Sequence, residues 1–381
     1  MRTMVVRLTR SRYINRVPRR REAFIFFLRE SILIISNLVA FRLPNPQVMS
    51  TFPQRFLESW PPEAWHGRVT LVAVSGGADS MALLRVMSDS VDPTGRSKLH
   101  VVHVNHGLRG LASDDDQRFV VDSAKSLGLS VHTLSLSAEA LSPERTADGL
   151  EAAAREARYD FFQEVAQKVE ARYLVTAHHQ DDQIETVLHR ILRGTGIAGL
   201  KGIAQARQWL PGVGLVRPLL PFTRNEIIDY LNSISQPWRE DATNASHDFT
   251  RNKIRNDLLP KLREAFGDQV DQSIYRLSQQ ATECQAVIDD LVDKLMEDVI
   301  TIANSSAVHI DLSKLKGARP YLVRELLVRV WREQQWPRQD MTQLHWQKLS
   351  ELAFGQTDAV ADVLPGAIRA VREADVLILK R

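Results

Sequence analysis

The stretch VAVSGGADSMALL, residues 72–84, joins the pattern of a β-strand to the pattern of a helix. The residues before Ser75 are apolar and mostly β-branched, which favours a buried strand, whereas those from Met81 onward are helix formers. Between them, Gly76 and Gly77 allow the backbone to approach a ligand closely. Free backbone N–H groups and the positive end of the helix dipole meet at such a junction, and both attract phosphate. The stretch therefore predicts a phosphate-binding turn within an α/β fold.

The polar residues of this turn limit which ligands it can bind. Ser75 and Ser80 add hydroxyl donors, but no lysine follows the glycines as it does in the common phosphate loop. The carboxylate of Asp79 would repel phosphate unless it holds a bridging metal ion or a cationic substrate. A strand followed by S-G-G-x-D-S resembles the PP-loop of enzymes that split ATP into AMP and pyrophosphate, and this resemblance implies ATP binding. The alternative is a structural turn capped by a serine.

Length and composition fit a globular protein with more than one domain. The 381 residues suggest two or three domains at about 150 residues each, and 44% of them are hydrophobic and 25% charged. Cys284 is the only cysteine, which excludes a disulfide framework and a cysteine-cluster metal site. This cysteine usage fits a reducing compartment, and we expect a cytoplasmic protein.

Residues 1–48 have a composition of their own. They contain ten arginines and two acidic residues, so the rest of a chain with net charge +3 is acidic and gives no general reason to expect nucleic-acid binding. Their apolar run is interrupted by Arg29 and Glu30, and its parts are shorter than the ~20 apolar residues that span a bilayer. One interpretation is a targeting or membrane-surface segment. We favour a working start at Met49, with residues 1–48 poorly ordered outside the fold and no membrane partner.

From residue 68 the sequence alternates between strand and helix patterns. Strands are predicted at 68–74, 98–105, 131–136 and 173–177, and helical patterns separate them. This rhythm predicts a Rossmann-like parallel sheet covered on both faces, in a domain that spans 49–266. Ligands of such sheets lie at the carboxyl ends of the strands, so we expect the polar loops after residues 74, 104 and 177 to form one site.

The pattern changes near Gly267 and predicts a second, smaller and mainly helical domain, 267–381. Long helical patterns cover 270–300 and 320–335, and the latter has one apolar side. The segment 364–379 predicts a final β-hairpin.

The loop after residue 177 opens a helix with a group of carboxylates. Asp182 and Glu185 are three residues apart and share a helix face, while Asp181 lies at the helix start, where an acid also serves as a cap. Paired carboxylates beside a phosphate loop suit Mg²⁺ or the ammonium group of lysine, and the sequence does not separate these two roles. The alternative is an acid-rich helix start with two structural histidines.

Other candidates follow the second predicted strand and lie on a long helix. His106 and Arg109 lie in the motif HVNHGLR, residues 103–109, where they could face the phosphates or the base of a nucleotide. Arg155 shares a helix stripe with other charged residues. For Arg155 the alternative is a solvated, salt-bridged helix face.

Two later segments carry cations that suit a nucleic acid. Arg193 lies in the glycine-rich segment 192–202, which either orders around a large substrate or connects two elements. Arg251, Lys253 and Arg255 form a compact basic patch beside asparagines, which suits contacts to a phosphate backbone.

Together these segments resemble the tRNA(Ile)-lysidine synthetases. The matching motifs stand in the family's order within about residues 68–264: SGGADS, HVNHGLR, EAAAREARYDFF, TAHHQDDQIET, LRGTGIAGLKG, RPLL, and EDATN followed by RNKIRNDLLP. The tail from about residue 270 resembles the family's helical substrate-binding domain. The chain is similar to the shorter form, without the additional C-terminal domain of longer members.

The resemblance implies a two-step reaction. ATP would adenylate the C2 carbonyl oxygen of the wobble cytidine in tRNA(Ile) with a CAU anticodon, and pyrophosphate would leave. The ε-amine of free lysine would then attack C2, AMP would leave, and lysidine would remain. The implied partners are this tRNA and free L-lysine, with ATP and Mg²⁺ as cofactors. The oligomeric state is left open, and a homodimer is one option.

Roles for the candidate residues follow from the same motifs. The residues expected to bind ATP are Ser75, Gly76, Gly77, Ala78, Asp79, Ser80, His106, Arg109 and His178. The expected catalytic carboxylates are Asp79, Asp182 and Glu185, and the last two are the candidates for the metal. The residues expected to bind the RNA substrate are Arg155, Arg193, Arg251, Lys253 and Arg255.

Other classes of protein could carry the same loop. A tRNA thiolase that resembles this sequence usually needs a cluster or a pair of cysteines, and this chain has Cys284 alone. A small-molecule amide ligase would not need the glycine-rich loop, the basic patch or the helical tail. A regulatory nucleotide-binding module would not need carboxylates beside the loop. A tRNA requirement for lysine-dependent AMP formation separates these classes.

Overall fold

The computed structural model describes residues 51–105, 107, 111–136, 147–239, 249–303, 307–355, 359–360 and 363–381. The predictions for residues 1–48 lie outside these ranges. The described residues divide into two compact units, which lie within Met1–His189 with Gly202–Gln272 and within Arg190–Lys201 with Ser273–Arg381. No described helix is both long enough and apolar enough to cross a membrane.

Strands and helices alternate through the first unit. Its strands are β1 (Thr70–Ala73), β2 (Leu99–Asn105), β3 (Ser130–Ser135), β4 (Tyr173–Val175), β5 (Ala206–Leu210) and β6 (Val213–Val216). The helices before and between them are α1 (Phe52–Ser59), α2 (Pro62–Trp65), α3 (Ala78–Asp89), α4 (Pro93–Arg96), α5 (Leu111–Ser126), α6 (Ala147–Lys168), α7 (Gln180–Leu192) and α8 (Ile197–Leu200), of which α8 belongs to the second unit. After the sheet come α9 (Arg224–Ser233), α10 (Phe249–Lys253), a π-helix (Ile254–Leu258), α11 (Leu259–Phe266) and α12 (Gln269–Val299), which from Ser273 onward belongs to the second unit.

The described strands of the first unit form one sheet in the order β3-β2-β1-β4-β6-β5. Neighbouring strands from β3 to β6 run parallel, and β5 pairs antiparallel with β6. The predicted parallel α/β sheet is therefore confirmed. Because β1 lies between β2 and β4, the carboxyl ends of these three strands are neighbours at one edge of the sheet.

Alternate residues of β1 enter two different hydrophobic clusters, which explains why the strand is apolar throughout. Val72 packs in a cluster with Val101 and with residues of α3. Leu71 packs in the other cluster with Leu174 and with Phe162 of α6. Helices thus cover both faces of the sheet, as the strand–helix rhythm predicts.

The second unit combines helices with a sheet of its own. It contains β7 (Ile300–Ala303), β8 (Ala307–Asp311), a 3₁₀ turn (Leu312–Leu315), α13 (Pro320–Glu333), α14 (Gln343–Phe354), β9 (Ala359–Val360), β10 (Arg369–Glu373) and β11 (Val376–Lys380). The described strands form an antiparallel sheet in the order β7-β8-β11-β10-β9. The predicted hairpin is β10–β11, but the sequence pattern did not indicate the strands beside it.

Candidate active site

The PP-loop, residues 75–80, is held in place by the hydroxyl of Ser80. Its Oγ accepts hydrogen bonds from the backbone N–H groups of Ser75 and Gly76, at 3.1 and 3.2 Å, and donates to the carbonyl of Gly77 at 2.9 Å. Gly76 has φ +97°, and a Cβ there would lie 3.3 Å from Cγ2 of Val120. Helix α3 begins at Ala78, directly behind the turn. The loop therefore presents the N-terminus of a twelve-residue helix at the end of β1.

A cavity of about 450 Å³ opens at this edge of the sheet. Residues at the carboxyl ends of β1, β2 and β4, where the sequence analysis expected one site, all contribute to it. Its lining residues are Ala73, Val74, Ser75, Asp79, Ser80, Val102, His103, Val104, Asn105, Ser113, Asp116, Arg155, Arg158, Tyr159, Phe162, Thr176, Ala177, His178 and Asp182. The PP-loop with Asp79, the carboxylates of Asp116 and Asp182, and several basic groups thus share one cavity.

His179, which the sequence analysis did not single out, lies among three carboxylates. Its Nδ1 is 3.2 Å from Oδ2 of Asp181, and its Nε2 is 3.7 Å from Oδ2 of Asp79 and 3.6 Å from Oδ2 of Asp182. Burial lowers the pKa of His179, but the hydrogen bond to Asp181 and the three negative charges outweigh burial and raise it. The imidazolium form therefore offsets the mutual repulsion of these carboxylates.

The pKa of the neighbouring His178 is shifted in the opposite direction. It lines the cavity, and its Nδ1 is 3.0 Å from Oγ1 of Thr176. Burial lowers its pKa to about 4, and the positive charges of Arg217, Arg251 and Arg155 add to this effect against the attraction of Asp182. His178 is therefore a neutral imidazole at pH 7.

The carboxylates of α7 have different surroundings. Asp182 lines the cavity; burial raises its pKa, but the charge of His179 and the hydrogen bond from the His179 backbone N–H outweigh burial and lower it. Glu185 is absent from the cavity lining, and its side chain is only 2% exposed. It accepts two hydrogen bonds from Arg255, at 2.5 and 3.1 Å, and burial raises its pKa despite this partner. Glu185 thus stabilises the basic patch, in which Arg251 also approaches it at 3.7 Å.

The position of Asp79 bears on the expected Mg²⁺. Its Oδ2 forms an ion pair with Arg224, a residue that the sequence analysis did not select, while its Oδ1 is buried without a partner. The described residues contain no group of three or more typical metal ligands. Mg²⁺ commonly takes one or two protein carboxylates and completes its shell with substrate phosphates and water. Asp79 and Asp182 beside a phosphate loop fit this requirement.

The remaining candidates fall into three groups. Arg155 lines the cavity, with its guanidinium 5.2 Å from the centre of the Tyr159 ring. Lys253 ends α10 in the basic patch, and Arg193 lies in the second unit. The predictions for His106 and Arg109 lie outside the described residues.

Comparison with known proteins places the chain in a family. The ATP_bind_3 family model, a PP-loop domain, matches residues 49–262. A tRNA(Ile)-lysidine synthase from Chlorobaculum tepidum is 40% identical over 232 residues, which cover 61% of this chain and 68% of that protein. The chain belongs to the tRNA(Ile)-lysidine synthase family.

Other members of the tRNA(Ile)-lysidine synthase family match over different spans. The relative from Rhodopirellula baltica is 34% identical over 81% of this chain and 84% of its own length. The chain spans about half the length of the relatives that it matches in Bacillus subtilis and Bacillus licheniformis. A solved U34-tRNA thiolase from Methanococcus maripaludis, at TM-score 0.49 and 15% identity over 61% of this chain and 78% of that one, is too distant to bear on function.

Proposed function

We propose that this protein ligates lysine to C2 of the wobble cytidine of tRNA(Ile) with a CAU anticodon, using ATP and releasing AMP and pyrophosphate. Membership of the tRNA(Ile)-lysidine synthase family supports this proposal. The observation that carries it is the cavity in which the PP-loop lies beside Asp182, His178 and Arg155. Such a site can hold a nucleoside triphosphate and a cationic amine together.

In the first step, the C2 carbonyl oxygen attacks the α-phosphorus of ATP, and pyrophosphate leaves. The hydroxyl of Ser75 and the N-terminus of α3 would bind the phosphates, and Arg155 would add positive charge. Asp79 and Asp182 would hold Mg²⁺, which when bound neutralises phosphate charge. A single-stranded base can enter the cavity without the cost of opening a duplex.

In the second step, the lysine ε-amine attacks C2, the bond to the adenylate oxygen breaks, and AMP leaves. Asp182 would hold the incoming ammonium, because its lowered pKa keeps it anionic. The ammonium must lose a proton before its nitrogen can attack C2, and the neutral imidazole of His178 in the same cavity can accept that proton. Glu185 would act indirectly, by fixing Arg255 in the basic patch.

The basic patch of Arg251, Lys253 and Arg255 would contact tRNA phosphates. We expect binding that weakens with salt, because phosphate contacts release counterions. Arg193 would add a further phosphate contact. A cytoplasmic location, where free lysine, ATP and tRNA occur together, completes the proposal. A homodimer stays a prediction, and sedimentation equilibrium of the full chain would test it.

The decisive experiment follows radiolabelled lysine into purified tRNA(Ile) with a CAU anticodon, with and without ATP. We expect ATP-dependent label that is lost in Asp79→Asn. Asp115→Asn is the matched control, since Asp115 lies on the exposed side of α5 with a side chain 52% exposed, and should retain the label. ATP cleavage with another acceptor and no label on any tRNA would contradict the proposal and favour a small-molecule ligase.

A further inference from the structure

His103 is a buried cavity residue to which the proposed reaction gives no role. It lies on β2, is 4% exposed, and lines the same cavity as the PP-loop. Its Nδ1 lies 2.8 Å from the carbonyl oxygen of Val74. Since a carbonyl oxygen only accepts hydrogen bonds, Nδ1 must carry the hydrogen. The other ring nitrogen, Nε2, is buried without a partner.

The charge state of His103 defines what Nε2 can do. Burial lowers the pKa of His103, and this outweighs the opposing effects of the Val74 hydrogen bond and the Asp116 charge. With one hydrogen, held on Nδ1, the neutral ring has a lone pair on Nε2. A buried acceptor without a donor costs free energy, so the position calls for a ligand that donates a hydrogen bond.

The surroundings indicate which part of a ligand lies there. The residues that β2 contributes to the cavity are all uncharged: Val102, His103, Val104 and Asn105. The phosphates belong at the N-terminus of α3, and an ammonium group would be drawn to Asp79 and Asp182 instead. The nucleoside part of ATP is uncharged and carries donors in its ribose hydroxyls and its adenine amino group.

We propose that Nε2 of His103 accepts a hydrogen bond from the nucleoside part of ATP, either from a ribose hydroxyl or from the adenine amino group. This inference rests on ATP as the substrate of the proposed function. It makes His103 a nucleotide-binding and specificity residue, fixed in one tautomer by the carbonyl that leads into the PP-loop.

The test compares dissociation constants for ATP and three analogues on the full chain, without tRNA or lysine. The analogues are 2′-deoxy-ATP, 3′-deoxy-ATP and the purine riboside triphosphate that lacks the amino group. We expect one of them to bind about tenfold more weakly than ATP, because it would leave the buried acceptor unpaired. The analogue that loses affinity identifies the donor.

The matched variant is His103→Asn, whose side-chain amide can still donate to Val74 but has no group at Nε2. In this variant the weakened analogue and ATP should bind within about twofold of each other. A wild-type protein that binds all four nucleotides equally, or a variant that keeps the wild-type difference, would overturn the proposal.

A second measurement does not depend on the variant. The ¹⁵N chemical shift of His103 Nε2 in the wild-type protein should move when ATP is added and not with the weakened analogue. An unchanged shift with saturating ATP overturns the proposal. Lysine transfer to tRNA is not part of either assay, so a protein that binds ATP but makes no lysidine would refute the proposed function and leave this inference standing.

Discussion

Arg255 holds the carboxylate of Glu185 through both ends of its guanidinium fork: Nε lies 2.5 Å from Oε1 and Nη2 lies 3.1 Å from Oε2. The two residues are 70 positions apart, and the pair joins α7 to the π-helix that follows α10. Bidentate pairs of this kind fix orientation as well as charge. The basic patch is therefore fastened to the helix that carries Asp182.

We predict that Arg255→Ala destabilises the fold by about 2 kcal/mol, because it leaves a buried carboxylate without its charge-assisted hydrogen bonds. Urea denaturation would measure the free energy of unfolding. Arg118→Ala is the control, since Arg118 pairs with Asp115 on the surface with 70% of its side chain exposed, and should change stability by less than about 0.5 kcal/mol. Equal effects of the two substitutions would show that burial of Glu185 does not matter.

The pKa values of the adjacent His178 and His179 should be shifted in opposite directions from the ordinary histidine value. We expect burial to lower the pKa of His178 to about 4, so that its ring stays neutral until the pH falls to that value. Burial lowers the pKa of His179, but the hydrogen bond to Asp181 and the charges of Asp182, Asp79 and Asp181 should raise it above the ordinary histidine value. NMR titration of ¹⁵N-labelled histidines, assigned with His178→Gln and His179→Gln, would measure both. Similar midpoints near the ordinary value would contradict this description of the site.

The stabilising effect of Asp181 should depend on pH. Burial raises its pKa, but the hydrogen bonds from His179 and the backbone of Arg224 outweigh burial and lower it to about 2. A folded-state pKa below the unfolded value gives stability that is present above the unfolded value and is lost as the pH falls towards about 2. Asp181→Asn should therefore lower the free energy of unfolding by about 2 kcal/mol at neutral pH and by less at pH about 3.

Urea denaturation of the wild type and Asp181→Asn across this pH range would test that dependence. Asp115→Asn, on the exposed side of α5, provides the control. A difference that stays constant from neutral to acidic pH would mean that the charge of Asp181 is not the cause.

The two glycines of the PP-loop should respond differently to alanine. Gly76 has φ +97° and little room beside Val120, so Gly76→Ala should destabilise the nucleotide-free protein by about 1–3 kcal/mol. Gly77 has φ −73°, and a Cβ there would meet no atom closer than 3.6 Å. Gly77→Ala should therefore destabilise the protein much less than Gly76→Ala. Thermal unfolding of the two variants compares them directly. Similar losses would argue against strain at Gly76.

The central strands and the loops after them were predictable because the signals are local. β1 and β4 are continuous apolar runs, and a parallel sheet brings their carboxyl ends together whatever the rest of the chain does. The β5–β6 hairpin was missed, and so were β7, β8 and β9, which join the predicted β10–β11 hairpin in the sheet of the second unit. These strands are short, and their pairing depends on partners that lie outside any sequence window.

The ion-pair partners of the charged residues could not be predicted from the sequence. Spacing places Asp182 and Glu185 on one face of α7, but it does not show that Arg255 occupies the second carboxylate. Similarly, nothing in the dipeptide His178-His179 indicates which ring meets three acids, because tertiary burial decides it. These roles follow from contacts between residues far apart in the chain.

Arg224 joins two helix starts, since its backbone N–H donates to Asp181 at 2.9 Å and its guanidinium pairs with Asp79. The PP-loop is therefore tethered to α9, whose first residue is Arg224 and which lies outside the cavity lining. A small molecule that drew Arg224 away from Asp79 would impair the loop without competing for the nucleotide. A cell could not overcome such an inhibitor by raising its ATP concentration.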